Sequence, residues 1–320
     1  MPPGTRLSAL LGIDMPILQA GMSSYTNAAL VSSVSDAGGL GILGCLSRQP
    51  EEIAQEVARI RSLTDRPFGL NMVLAQCTPA QWSACFAARP PVLSTAWGDV
   101  APIMKRARDA GCLVVHQVNT VAGAREAVRS GVDAIVAQGT EGGGHVGRVS
   151  TMTLVPQVVD VADGIPVIAA GGIADGRGIA AALALGAEGV LIGTRFLATP
   201  EAPLDAGWKA ALVGSPAELG VITDVPDLIW DIDWPGATCR VLRNSLVERW
   251  EGKTEALIAA RTTVQARVRK ASERGELAEM VLYAGQGTGL IREITPAGEL
   301  TGKLWRESLE VLSRLTAGAH

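Results

Sequence analysis

Short, almost wholly apolar runs recur along the chain as far as about residue 200, each followed by a stretch whose apolar positions fall three and four apart. The runs at 16–20, 40–43, 68–72, 92–95, 113–118, 134–138, 167–170 and 189–192 predict strands buried on both faces. The stretches at 27–37, 50–63, 100–110, 121–130, 154–162 and 177–185 predict helices, most of them opening near Ser, Thr, Asn, Asp or Pro. Several end in Ala-Gly, Ser-Gly or Leu-Gly just before the next run, where a left-handed helix cap belongs. Eight such units predict an α/β fold, a (β/α)8 TIM barrel; a doubly wound open sheet is the rival. That rival carries its G-x-G-x-x-G phosphate loop after the first strand, and here residues 19–24 read Q-A-G-M-S-S instead.

The rhythm breaks near Pro200. A segment with Trp208, Trp230, Trp234 and Trp250 follows, including P-D-L-I-W-D-I-D-W-P-G, and then a charged helical run from 257 to 280. The expected organisation is a barrel over 1–216, a smaller, mainly helical cap subdomain inserted after strand eight over 217–280, and a segment 281–320 that returns to the barrel. The subdomain is expected either over the barrel mouth or, through its tryptophans, at an interface with a second copy in a homodimer. The stretch 304–315 predicts an amphipathic helix on the outside of the barrel.

Composition supports this and narrows the function. Hydrophobic residues make up 48% of the chain but aromatics only 4%, the balance of buried strands and closely packed small helices. A net charge of −4 with no basic stripe argues against a nucleic-acid partner. The five cysteines form no C-x-x-C pair, which predicts neither a disulfide framework nor a zinc site and suits a reducing compartment. Cys45 and Cys112 sit among apolar neighbours and read as core thiols. With no signal-peptide h-region and no run of membrane length, a cytoplasmic location is expected.

Barrel chemistry belongs at the C-terminal ends of the strands. The run ending at Gln138 leads into G-T-E-G-G-G-H-V-G, where Gly142, Gly143 and Gly144 expose backbone N–H groups and His145 can reach whatever binds them. Taken alone, this stretch reads equally well as a flexible turn with a solvated histidine. Gly171-Gly172-Ile173 after the seventh run and Ile192-Gly193-Thr194-Arg195 after the eighth lie where barrels build phosphate sites from backbone N–H groups. Asn71 and Gln138 are amides that both donate and accept, matching the mixed edge of a flavin or nucleotide ring. In the run V-V-H-Q-V, alternation turns one of His116 and Gln117 inward; Gln117 is expected to face the ligand and His116 to pack between strand and helix. His320 is expected to be idle.

Together P-I-L-Q-A-G-M, A-G-G-L-G-I-L-G, P-F-G-L-N, A-Q-G-T-E-G-G-G-H-V-G, P-V-I-A-A-G-G-I-A-D-G, G-T-R-F and A-G-Q-G-T-G-L resemble the nitronate monooxygenase (2-nitropropane dioxygenase) family, whose relatives include FMN-dependent enoyl-acyl-carrier-protein reductases. The resemblance implies an FMN-binding TIM barrel with cofactor contacts at Met22, Asn71, Gln138, Gly143, Gly172 and Leu191, Ile192, Gly193 and Thr194, and a catalytic His145. The family loop commonly carries Arg where Val146 stands here; Arg148 lies two residues on. IMP dehydrogenase relatives share the glycine-rich ending but carry a nucleophilic cysteine in the loop after strand six, a loop that here holds His145 and no thiol.

The implied reaction is oxidation of alkyl nitronates or nitroalkanes by O2 to a carbonyl compound and nitrite. Imidazoles exchange protons near neutral pH and suit removal of an acidic α-proton or pairing with a nitronate, while the flavin does the redox work. The alternative is an FMN reductase of enoyl thioesters or quinones that uses NAD(P)H. A barrel that only binds a flavin or sugar phosphate is the third expectation.

Overall fold

The structure, a computed structural model, describes residues 5–234 and 236–317; His320 lies outside them. Eight parallel strands close into a barrel: β1 (Ile17–Gln19), β2 (Leu40–Gly44), β3 (Phe68–Val73), β4 (Val92–Ala96), β5 (Leu113–Val118), β6 (Ala134–Gln138), β8 (Val167–Ala170) and β9 (Gly189–Ile192). Closure is made by β9 on β1, with Ile17 opposite Val190 and Gln19 opposite Ile192. The protein is thus a (β/α)8 TIM barrel, and all eight runs picked out in the sequence are its strands.

Period-two alternation divides each strand between two apolar bodies. Leu18, Leu40, Ile42, Val92, Val115, Val136, Ile168 and Leu191 fill the barrel interior. Their neighbours Ile17, Leu43, Leu70, Leu93, Val114, Ile135, Val167, Val190 and Ile192 pack outward against the helices. The contact is close: a Cβ at Gly41 would stand 2.1 Å from the carbonyl oxygen of Val31, so only glycine lets the helix Ala28–Asp36 lie on β2. A short helix, Arg6–Leu11, was not foreseen from the pattern. Thr5 caps it, Gly12 ends it at φ 67°, and its Leu7 and Leu11 join the interior cluster, closing the barrel bottom.

After β9 the chain makes only the short turn Thr194–Leu197 and leaves the barrel. The eighth place in the helix layer is filled by the final helix, Ala297–Ala317, which packs on Gly176–Ala184 and Ala28–Asp36 and begins well ahead of residue 304. Both Glu201 carboxylate oxygens accept from Ala297 N, at 2.9 and 3.1 Å, which fixes that start.

Between these points lie β10 (Gly220–Thr223), β11 (Thr238–Leu242) and the helices Val225–Trp230, Ser245–Trp250 and Thr254–Arg274, with their own core of Val225, Ile229, Val241, Leu246, Leu257 and Val264. The two strands form an antiparallel pair, and β11 also pairs with β7 (Gly144–Val146), the loop after β6. The tryptophans turn inward: Trp208 meets Tyr25 edge to face at 5.1 Å, and both Trp208 and Trp234 are buried. No helix among the described residues is long and apolar enough to cross a membrane, and all five cysteines are free thiols.

Candidate active site at the C-terminal rim

His145 stands in the middle of β7, directly across the ladder from Cys239. Its Nε2 lies 2.7 Å from Oδ1 of Asp227, which comes from the helix Val225–Trp230. The indole of Trp234 stacks on the imidazole, ring centroids 3.7 Å apart and planes within 18°, and Trp97 meets Trp234 edge-on. Trp97, the residue after β4, has φ 56°, a strained value for a bulky residue of the kind that gathers at functional sites. Gln76, from the loop after β3, donates to the carbonyl of Asp233 at 2.6 Å and ties this aromatic segment to the barrel.

Beneath the histidine the barrel interior changes from aliphatic to amide. Gln117 Nε2 and Asn119 Nδ2 both donate to Oε1 of Gln138 at 2.9 Å, and Asn71 Nδ2 donates to Ser94 at 3.1 Å. Among the described residues this leaves the Gln138 amide nitrogen, the Gln117 oxygen and the Asn71 oxygen without side-chain partners, a set of one donor and two acceptors at the top of the barrel. Gln117 does face inward. His116 is buried in the helix layer with Nδ1 2.8 Å from Thr95 Oγ1, and burial pushes its pKa down to about 4.

On the adjoining arc, where β8 pairs with β6 and Ala170 stands beside Gln138, Gly171 and Gly172 follow β8 with φ 103° and 74°. Among the described residues the N–H groups of Gly172, Ile173, Gly193 and Thr194 meet no backbone or side-chain acceptor. Met22 leans over this arc, its sulfur 3.3 Å from where a Cβ of Gly193 would sit. Free donors beside glycines with no side chain between them form a cradle for an anion such as phosphate.

The loop between β6 and β7 is braced from both sides. Glu141 accepts from Thr151 N at 2.9 and 3.1 Å, and Thr151 Oγ1 lies 2.9 Å from the Glu141 carboxylate and 3.0 Å from Gly171 O. A Cβ at Gly143 would stand 2.6 Å from the backbone of Ala284 and Gly285, so this glycine admits the returning chain. Gly285 N donates to Thr194 Oγ1 at 2.9 Å, joining that chain to the arc after β9. Gly144, at φ 70°, has nothing within contact distance of a Cβ and begins β7.

The structure therefore brings together Met22, Asn71, Gln117, Gln138, Gly143, Gly144, His145, Gly171, Gly172, Gly193 and Thr194 around one rim. Leu191 points into the apolar interior and Ile192 into the helix layer, so only their backbone can face a ligand. Arg148 is exposed and forms no ion pair among the described residues. Asp227, with Trp234 its neighbour at the site, was missed as a site residue. Nothing in the local pattern of P-D-L-I-W-D sets Asp227 apart, because its importance comes from a ladder that joins residues far apart in sequence.

A family model described as nitronate monooxygenase matches residues 4–89 and 82–307. The chain belongs to the nitronate monooxygenase family. It is therefore an oxidoreductase. A relative from Mycobacterium tuberculosis, (3aS,4S,5R,7aS)-5-hydroxy-7a-methyl-1-oxo-octahydro-1H-indene-4-carboxyl-CoA dehydrogenase, is 38% identical over 79% of this chain and 70% of its own. Among solved structures, FabK from Thermotoga maritima superposes with a TM-score of 0.89 at 35% identity, covering 98% of this chain and 99% of that one. The nitroalkane oxidase of Streptomyces ansochromogenes gives 0.84 at 30% identity over 97% and 99%. These nitronate monooxygenase relatives share the barrel together with the excursion after its last strand, since they cover nearly the whole chain.

Proposed function

We propose that the protein oxidises alkyl nitronates and nitroalkanes with FMN as cofactor and O2 as acceptor, yielding a carbonyl compound and nitrite. The observation that carries this reading is His145, presented by β7 on the same rim as a group of amides and a glycine-lined anion cradle.

The rim residues fit FMN. The free N–H groups of Gly172, Ile173, Gly193 and Thr194 would hold its phosphate, with Gly171 giving the turn its shape. Asn71, Gln117 and Gln138 would meet the polar edge of the ring, and Met22 would pack on it. When bound, FMN supplies the electron transfer from substrate to O2. His145 takes the α-proton of a nitroalkane, or pairs as imidazolium with a nitronate that arrives already ionised. Trp234, backed edge-on by Trp97, excludes water from the face of the imidazole it covers.

A second reading, redox chemistry on an acyl thioester with NAD(P)H as a partner, is favoured by the dehydrogenase relative, whose name specifies a carboxyl-CoA. Anaerobic mixing separates the two. A nitronate is expected to bleach the flavin absorbance; rapid bleaching by NADPH with none by a nitronate would replace the first reading with the second. His145→Ala is expected to keep FMN bound and lower turnover roughly 100-fold.

A further inference from the structure

We propose that Asp227 is the positioning residue of His145: it holds the imidazole proton on Nε2 and so makes Nδ1 the atom that receives the substrate proton. This rests on the acid–base role given to His145 under the proposed function, and it adds which ring nitrogen acts and what selects it.

A carboxylate offers only acceptors, so a 2.7 Å contact between Asp227 Oδ1 and Nε2 requires the hydrogen to be on Nε2. A neutral imidazole has one N–H, which leaves the lone pair on Nδ1. Nδ1 has no protein partner among the described residues. Three separate elements hold the ring in this setting. The β7–β11 ladder fixes its backbone opposite Cys239, the helix Val225–Trp230 brings Asp227 to one edge, and the stacked indole of Trp234 covers one face. A quarter turn about Cβ–Cγ would break the stack, and a half turn would put Cε1 where Nε2 meets the carboxylate. A substrate therefore meets the ring in its plane, at the edge opposite Asp227.

The groups around Asp227 leave it committed to the histidine. Cys239 on β11 and Tyr283 on the returning chain both lie within its field. Burial raises both of these acids, and the Asp227 charge raises them further, so they stay neutral. His145 is the one side-chain partner of Asp227 among the described residues. In the proton step the substrate α-C–H bond breaks, its electron pair stays on the substrate as the nitronate, and an N–H bond forms at Nδ1. The resulting imidazolium faces the carboxylate on its far edge.

The test is nitrogen NMR of histidine-labelled holoenzyme at mildly alkaline pH, with His145 assigned by comparison with His145→Asn. The proposal expects the Nε2–H tautomer in the wild type and a mixture of tautomers in Asp227→Asn. It expects that variant to retain flavin and lose kcat by at least roughly 100-fold, with KM held within about threefold. Added formate is expected to restore part of the activity of Asp227→Ala. An Nδ1–H tautomer or a doubly protonated ring in the wild type would overturn the proposal, as would wild-type kcat in Asp227→Asn. If the variants lose flavin, the wild-type spectrum alone decides. The spectrum needs no substrate, so a protein inert toward nitro compounds would remove the proposed function together with the proton transfer to Nδ1, and leave standing only the hold of Asp227 on the Nε2–H tautomer.

Discussion

Two residues show how differently neighbouring positions in one strand can be used. Gln117 faces the barrel mouth, while His116, one step away, is buried against Thr95, and burial pushes its pKa from the ordinary 6.5 to about 4. The neutral ring is the form the fold accepts, so the unfolded chain binds the extra proton between these two values. The stabilisation is complete above about pH 6.5 and is lost as pH falls toward 4, in total about 3 kcal/mol. Thermal melts of the wild type are expected to fall across that window, and those of His116→Gln to fall less. Alternation narrowed the inward position to His116 or Gln117, and the structure places Gln117 there. Asp227 was not legible, because the residue that gives it meaning, His145, lies 82 positions away and no periodicity links them. Gly143 was legible as important, with a different physical reason: its missing side chain makes room for Ala284 and Gly285. Gly143→Ala is expected to destabilise the protein by roughly 1–3 kcal/mol, as overpacking against backbone does, and to weaken flavin retention.

At the scale of elements, the loop after β6 is converted from a flexible turn into a positioned one. The first half is anchored by Glu141 on the N-terminus of the helix Thr151–Val159; the second half becomes β7, an edge strand of the subdomain sheet. Removing the anchor with Glu141→Ala leaves the Thr151 N–H unpartnered, a loss of about 1–3 kcal/mol. Hydrogen exchange at residues 139–147 is expected to quicken, with the barrel strands unchanged; unaltered exchange in the loop would show that Glu141 does not hold it. The strands were readable because buried parallel strands leave unbroken apolar runs. The helix Arg6–Leu11 was not, since its turns are too few for a period to emerge, and β7 was not, since a three-residue strand beside glycines carries no pattern of its own.

At the scale of the molecule, the barrel is completed by a helix from the far end of the chain. Ala297–Ala317 covers the apolar faces of Ala28–Asp36 and Gly176–Ala184, and the subdomain between leaves the barrel after β9 and returns through Tyr283 and Gly285. A chain ending before Ala297 is expected to lose cooperative thermal unfolding, because buried Val34, Ile179 and Leu300 belong to one core. Count and order of the strands, the break near Pro200 and the outer final helix were readable from the sequence, whereas the strands β10 and β11 and their ladder to β7 were not, because short strands joined by irregular connections have no period to follow.

Everything above turns on one glycine-lined rim holding FMN with His145 against it, and a crystal structure of the protein with FMN is the decisive measurement. The phosphate is expected within hydrogen-bond reach of the N–H groups of Gly172 and Thr194, the ring edge on Gln138 and Asn71, and His145 beside the ring with its Asp227 contact intact. FMN bound elsewhere, or an imidazole turned away from the ring, would contradict it.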